Sequence, residues 1–185
     1  MHEWAHAAVS TALGDPVPAR QGRLSLNPLA HIDWIGLLML WIFRFGWARP
    51  VQIDPRYYKN PRVGLLLVAL AGPAMNVFLG LLFLVIYVHV PWGPSRLGQI
   101  FAAIVLLAVE YNVFLAVFNI LPIPPLDGSR VVSALSLEGA RLMSALEPYG
   151  WIILLLLIFT GVLTQSVLIP LATGLLGVLR TIVAL

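Results

Sequence analysis

The fold is decided by residues 63–90, VGLLLVALAGPAMNVFLGLLFLVIYVHV, and by residues 97–121, LGQIFAAIVLLAVEYNVFLAVFNIL. A helix needs about 20 predominantly apolar residues to cross the hydrocarbon core of a bilayer, and both stretches exceed that length. The residues between them, PWGPSR at 91–96, contain two prolines and a glycine and therefore predict a tight turn. We expect an antiparallel pair of membrane-spanning helices, the first of them kinked at Gly72-Pro73.

The composition of the whole chain is that of a membrane protein. Of its 185 residues, 60% are hydrophobic and 10% are charged, whereas an ordinary soluble domain is about 25% charged. This excludes a soluble domain, a disordered tail and a collagen-like rod. The net charge is +3, but the sequence has no basic stripe with interleaved aromatic residues, so no nucleic-acid partner is expected. Because the chain contains no cysteine, any metal must be held by His, Asp or Glu.

Two further apolar segments complete the predicted architecture. Residues 34–45 are too short to cross the bilayer comfortably and are interpreted as a re-entrant or interfacial segment. Residues 149–185 are too long for one span and are interrupted by Thr164-Gln165 and Pro170, which predicts a hydrophobic hairpin or one span followed by a surface helix. We therefore expect a single all-α polytopic membrane domain with four to six membrane segments.

Residues 1–13 are interpreted as the second half of a membrane helix. They contain no charged n-region and no cleavage site, so they are not a signal peptide. A helix that begins inside lipid would expose unsatisfied N–H groups and a charged amine. We therefore expect the native protein to have an upstream apolar segment, lost from this chain by truncation or a misplaced start codon.

An HExxH motif occurs at the start of the chain, in His2-Glu3-Trp4-Ala5-His6. On a helix, His2 and His6 lie one turn apart on the same face. Two imidazoles in that arrangement can bind one zinc ion, and Glu3 can accept the proton of a zinc-bound water. The alternative is a pair of histidines that serve only helix packing. Three ionisable side chains in an apolar helix argue against that alternative, because such residues are usually functional.

A zinc hydrolase also needs a third protein ligand. One common pattern would place a histidine at residue 12, which is alanine, and the next glutamate in the chain, Glu110, is far downstream. Asp127 is the best candidate because it follows the span 97–121 on a loop that three prolines make rigid. A simple membrane-exit loop, in which Asp127 caps the next helix, stays open as the alternative. The other candidates are Asp15, His31, Asp33, Asp54 and Glu110, with Glu110 as the runner-up.

Five segments together resemble the site-2 protease family of intramembrane zinc metalloproteases, in its compact prokaryotic form without a PDZ domain. The resemblance implies one zinc ion per chain, held by His2, His6 and Asp127, with Glu3 as the general base. It also implies that Asn119 helps to position the substrate, which would be a transmembrane segment of another membrane protein. The segments occur in family order and are HEWAHA at 2–7, GRLSLNPLAHID at 22–33, FGWARPV at 45–51, ALAGPAMN at 69–76 and FNILPIPPLDGSRVV at 118–132.

The basic residues predict how the domain is oriented. If 34–45 does not span, the loops 14–33, 46–62 and 122–148 share one membrane face. With Arg44 at the edge of the segment, that face carries nine basic residues against Arg96 on the opposite turn. Such an excess marks the cytoplasmic face, here of a prokaryotic cell membrane, and the active site would lie toward it. The nine are Arg20, Arg23, Arg44, Arg49, Arg56, Lys59, Arg62, Arg130 and Arg141.

Two other functions and one local structure stay open on the sequence alone. A metal transporter would need further ligands along a path across the bilayer, whereas the candidates here cluster toward one face. A catalytically inactive or truncated membrane fragment is the other alternative. Residues 23–26 alternate polar and apolar side chains, which predicts either a small β-element near the active site, with a free edge for an unwound substrate, or a surface loop. The sequence does not indicate the oligomeric state.

Overall fold

The structure, a computed structural model, describes residues 1–43 and 46–184. Arg44 and Phe45, which belong to the predicted segment 34–45, and Leu185 lie outside the described residues. The prediction of an all-α protein is confirmed. The helices are α1 (His2–Ala12), α2 (Val17–Arg20), α3 (Trp34–Phe43), α4 (Pro61–His89), α5 (Arg96–Asn119), α6 (Asp127–Leu135), α7 (Leu137–Leu146), α8 (Gly150–Phe159) and α9 (Ile169–Ala184).

Residues 23–26 adopt the loop alternative rather than a strand. They form a turn followed by irregular chain. The Arg23 side chain, which is buried, donates hydrogen bonds to the carbonyls of Ala30 at 2.8 Å and Pro50 at 3.3 Å. In the described ranges, β-pairing is limited to one antiparallel bridge between Ile32 and Ala48.

The membrane prediction is supported by four helical stretches. Each is long and apolar enough to cross a bilayer, and the first two coincide with the stretches that decided the fold. In the C-terminal region, α7 and α8 are joined through a short 3-10 turn and count together as one candidate span, while α9 is preceded by a π-helical turn. The four are Pro61–His89, Arg96–Asn119, Leu137–Phe159 and Thr164–Val183.

The chain divides into two compact units, Met1–Gly72 and Pro73–Leu185. In the first unit, a network centred on the fully buried Asp15 holds the end of α1. The Asp15 carboxylate accepts hydrogen bonds from Ser10 Oγ at 2.8 Å, from Val17 N at 2.9 Å and from Asp54 N at 2.8 Å. Ser10 Oγ is also 2.8 Å from the Tyr58 hydroxyl. These bonds fix α1, the helix that carries the HExxH motif.

The second unit is built around aliphatic side chains from three long helices. Leu84 of α4, Val109 and Val113 of α5 and Leu179 of α9 form its buried cluster. Between α5 and α9 in the chain, α6 packs against α7. The apolar packing of α4, α5 and α9 provides the frame from which the loop after α5 leads into α6.

The short helix α3 presents most of its apolar side chains to the surroundings. Its N-terminus is capped by Asp33, whose Oδ1 accepts hydrogen bonds from the amides of Ile35 at 3.0 Å and Gly36 at 2.9 Å. Trp34 is 70% and Trp41 is 84% exposed. Ten residues of helix measure about 15 Å, roughly half of the hydrocarbon thickness. A re-entrant or interfacial position remains our prediction for this segment.

Candidate metal centre

The two histidines of the HExxH motif meet at the start of α1. The Nε2 atoms of His2 and His6 lie 3.0 Å apart, and the rings meet edge to face with centroids 4.6 Å apart. Tetrahedral zinc with bonds of about 2.0–2.1 Å to nitrogen holds two such atoms about 3.3 Å apart. The pair therefore fits a metal ion with only a small adjustment of either ring.

The surroundings of His6 assign its tautomer. Its Nδ1 atom lies 2.7 Å from the backbone carbonyl of Val68 on α4. Because a carbonyl can only accept, Nδ1 carries the proton and donates it, so Nε2 keeps its lone pair on the side that faces His2. A ligating histidine usually donates its other ring N–H in this way, because the bond fixes both the tautomer and the ring orientation. His6 is thus prepared to bind a metal through Nε2.

Glu3 lies between the histidines in sequence and is held by the chain that leads toward α4. Its Oε2 atom accepts a hydrogen bond from the backbone N–H of Val51 at 3.2 Å. Burial lowers the pKa of the neighbouring Arg23 guanidinium and the charge of Arg49 lowers it further, while the negative charge of Glu3 opposes both. Arginine keeps its proton in proteins regardless, so Arg23 supplies a permanent positive charge that interacts with Glu3.

Asp127 is the first residue of α6, in the second unit, and is 7% exposed. The N-cap position is Leu126 and no side chain caps this helix, so the alternative in which Asp127 acts as the cap is not what the structure shows. Gly128 has no room for a side chain, because a Cβ there would overlap the carbonyl oxygens of Ile120 and Leu121. Asp127 Oδ1 lies 3.9 Å from Arg130 Nη1, one turn along α6.

Three of the remaining carboxylate candidates have structural partners, and the fourth is exposed. Asp15 is the centre of the buried network, and Asp33 caps α3. Asp54 forms an exposed ion pair with Arg56 at 2.6 Å, and the hydrogen bond from Arg56 holds the pKa of Asp54 below its usual value. Glu110 lies on an exposed position of α5.

The remaining histidine candidate and the proposed substrate residue each have a backbone partner. His31 Nε2 lies 2.8 Å from the carbonyl of Ser25, to which it can donate. Asn119 ends α5, and its side-chain amide donates to the carbonyl of Leu115 at 3.0 Å. The structure thus brings His2, Glu3 and His6 together on α1 of the first unit, while Asp127 and Asn119 belong to the second.

Sequence reasoning missed the backbone groups that support the histidines and the glutamate. The Val68 carbonyl and the Val51 amide are main-chain atoms, and every residue type except proline supplies both kinds of group. Val51 lies in the segment 45–51 that resembles the protease family, whereas Val68 directly precedes the segment 69–76. Those segments were the available signal, but nothing in them shows which backbone atom contacts which side chain.

Comparisons with known proteins indicate the family of the chain. A family model, peptidase family M50, matches residues 94–161, which include Asn119 and Asp127. YwhC of Bacillus subtilis is 39% identical over 170 residues, which cover 86% of this chain and 75% of YwhC. Two Rip2 proteins are also similar. The one from Mycolicibacterium smegmatis is 29% identical over 172 residues, and the one from Mycobacterium tuberculosis strain H37Rv is 30% identical over 168 residues.

All three relatives are provisionally named zinc metalloproteases. The match to the Mycolicibacterium smegmatis protein covers 89% of this chain and 64% of that protein. The match to the Mycobacterium tuberculosis protein covers 85% of this chain and 61% of that protein. No solved structure matches the chain at comparable significance. At the identity and coverage shared with YwhC, the chain belongs to peptidase family M50, the site-2 protease family that its five segments resemble.

Proposed function

We propose that this chain is a zinc-dependent intramembrane endopeptidase that cuts a transmembrane segment of another membrane protein. The observation that carries the proposal is the His2–His6 pair, with its Nε2 atoms 3.0 Å apart and the His6 tautomer assigned by Val68. The family and the names of the relatives support zinc and proteolysis. The four apolar helices support the proposal that the substrate binds within the bilayer.

His2, His6 and Asp127 would hold one zinc ion, and three protein ligands would leave room for the water that hydrolysis requires. Asp127 is favoured because it is a buried carboxylate at the start of α6, where Gly128 lies against the carbonyl oxygens of Ile120 and Leu121. When bound there, zinc would act as a Lewis acid and lower the pKa of a bound water to about 7. Asp15, by contrast, already accepts three hydrogen bonds inside its own network.

Glu3 is the general base. It takes a proton from the attacking water and passes it to the leaving amine, two transfers that one carboxylate can perform in sequence. The hydrogen bond from the Val51 amide orients the carboxylate before the reaction.

The substrate must unwind before it can be cut. A helical substrate hides its carbonyls in hydrogen bonds between residues i and i−4, so water cannot attack them in place. Glycine, proline or polar residues weaken a helix, and we expect substrates whose membrane helices contain them. Asn119, at the end of α5, is assigned to positioning the unwound segment. The excess of basic residues on the predicted loops favours cleavage toward the cytoplasmic face of a prokaryotic cell membrane.

The substitution Glu3→Gln tests this function. The chain is expressed with a tagged single-span model substrate whose membrane helix contains a Gly-Pro pair, and both cleavage and zinc content are measured. Glu3→Gln should lower cleavage by at least about 100-fold, because general acid–base catalysis contributes about 10²–10⁴-fold, while the zinc content stays at that of the parent chain. Glu110→Gln, the same change at an exposed position of α5, is the matched control and should alter neither quantity.

The same experiment separates the alternatives. Cleavage that survives Glu3→Gln in a zinc-loaded preparation would refute the assignment of the base. Zinc without cleavage in the parent chain and in Glu3→Gln alike would favour an inactive fragment. Zinc flux into vesicles that Glu3→Gln leaves intact would favour a metal transporter.

A further inference from the structure

Gly72 of α4 lies directly against the metal-binding edges of the two histidines of α1. An ideal Cβ built at Gly72 would lie 2.5 Å from both Nε2 and Cε1 of His2, and it would overlap His6 Nε2. Real Cβ atoms essentially never come within 3.0 Å of another heavy atom. Position 72 therefore cannot accept a side chain while both imidazole rings keep their places.

The space that a side chain at position 72 would fill is next to the donor atoms of the proposed metal site. A zinc ion has to lie about 2.0–2.1 Å from each ligating nitrogen. A methyl group 2.5 Å from the same nitrogen of His2 would either take part of the ion's room or push the imidazoles out of position. An alanine at position 72 would thus act on metal binding directly.

The same stretch of α4 contacts His6 a second time, one turn earlier. Val68 lies four residues before Gly72, and its carbonyl accepts the Nδ1 proton of His6 at 2.7 Å. Residues i and i+4 share one face of a helix. One face of α4 thus supports the pair in two ways: the Val68 carbonyl fixes the tautomer, and the bare backbone at Gly72 leaves the Nε2 side open.

A positive φ does not explain the glycine at this position, although a Cβ before Pro73 in a helix would also crowd the proline ring. Gly72 lies inside the helix α4, and the glycines with positive φ are elsewhere in the chain, for example Gly14 and Gly93. Glycine inside a helix is less stable than alanine. On α9, Gly174 shows the contrast, because a Cβ there would meet no atom within 4 Å. The two imidazoles therefore give position 72 a need for glycine that Gly174 does not have.

We propose that Gly72 is a positioning residue of the metal centre, which keeps side-chain atoms out of the space where His2 and His6 receive the ion. This inference rests on the proposed function for the identity of the ion. It predicts that Gly72→Ala weakens zinc binding although alanine is the better helix former.

The first test measures the zinc affinity of the purified 185-residue chain in detergent, by competition with a chromophoric chelator. Gly72→Ala should weaken zinc binding by at least about ten-fold, the lower end of what the loss of an outer-shell partner costs. Gly174→Ala, the matched helical control, should bind zinc like the parent chain. Equal affinity of the parent chain and Gly72→Ala would overturn the inference. A parent chain that binds no zinc, or a His6→Ala variant that binds it equally well, would instead count against the proposed function.

The second test needs no metal and decides the steric claim by itself. Thermal unfolding is followed with a chelator present, for Gly72→Ala in the parent chain and in a His2→Ala, His6→Ala background. The steric conflict predicts a lower Tm in the parent background. In the background without imidazoles the fall in Tm should be much smaller, because only the crowding of the new Cβ against Pro73 then opposes the helix preference of alanine. The same fall in Tm in both backgrounds, or none in the parent, would overturn the inference.

Discussion

The unit Met1–Gly72 buries polar side chains that hydrogen-bond to backbone, whereas the unit Pro73–Leu185 buries a cluster of aliphatic side chains from three long helices. In the first unit, His6 and Glu3 each have a main-chain partner. In the second, Leu84 and Val113 make apolar contacts, which have no preferred direction. Hydrogen bonds have preferred distances and angles and apolar contacts do not. The comparison therefore teaches that directional hydrogen bonds orient the HExxH side chains of the first unit, whereas non-directional apolar packing holds the long helices of the second.

The largest expected effect on stability comes from the polar network of the first unit. Asp15→Ala removes an acceptor that serves Ser10, Val17 and Asp54 at once. Each buried donor left without a partner costs about 1–3 kcal/mol, so we expect a loss of about 3 kcal/mol or more in the free energy of unfolding. Denaturation with SDS in mixed micelles, followed by circular dichroism, measures this loss.

Arg56→Gln is the control for that experiment. It removes the ion pair with Asp54, in which the Arg56 side chain is 89% exposed. Exposed ion pairs contribute little to stability, so the unfolding midpoint should not move. If Asp15→Ala proved equally silent, the first unit would not depend on its polar network and the contrast between the units would fail.

A smaller effect is expected from the apolar cluster of the second unit. Leu84→Ala removes a buried side chain that packs with Val109, Val113 and Leu179. Leucine-to-alanine changes in the cores of soluble proteins cost about 2–5 kcal/mol. We expect about 2 kcal/mol here, because in a bilayer the unfolded side chain meets lipid tails rather than water. The same SDS titration measures it, with Leu82→Ala at an exposed position of α4 as the control. A loss larger than that of Asp15→Ala would reverse the order of the comparison.

The parts of the fold that depend on composition could be predicted from the sequence. The spans at 63–90 and 97–121 are long, apolar runs, and α4 and α5 reproduce them within a few residues. The start of the third candidate span at Leu137 was not predicted. Its first turns contain Glu138 and Arg141. Because these residues are charged, the sequence did not indicate that an apolar span begins there and continues into α8.

The parts of the candidate site that depend on backbone atoms could not be predicted. The pairing of His2 with His6 follows from a spacing of four residues on a helix, and the structure shows it. The Val68 carbonyl and the Val51 amide carry no residue-specific signal. The alternation at 23–26 left a strand and a loop open, and the structure shows a turn in which the buried Arg23 side chain donates hydrogen bonds to two carbonyls.

The zinc content of the 185-residue chain, compared with that of Asp127→Ala, tests the ligand set His2, His6 and Asp127 most directly. The account predicts one zinc per parent chain and a loss or marked weakening of zinc in Asp127→Ala, because two ligands from one helix hold a metal less tightly than three. Glu110→Ala, which removes the runner-up carboxylate, should retain the zinc of the parent chain. Full zinc occupancy with unchanged affinity in Asp127→Ala would contradict the account.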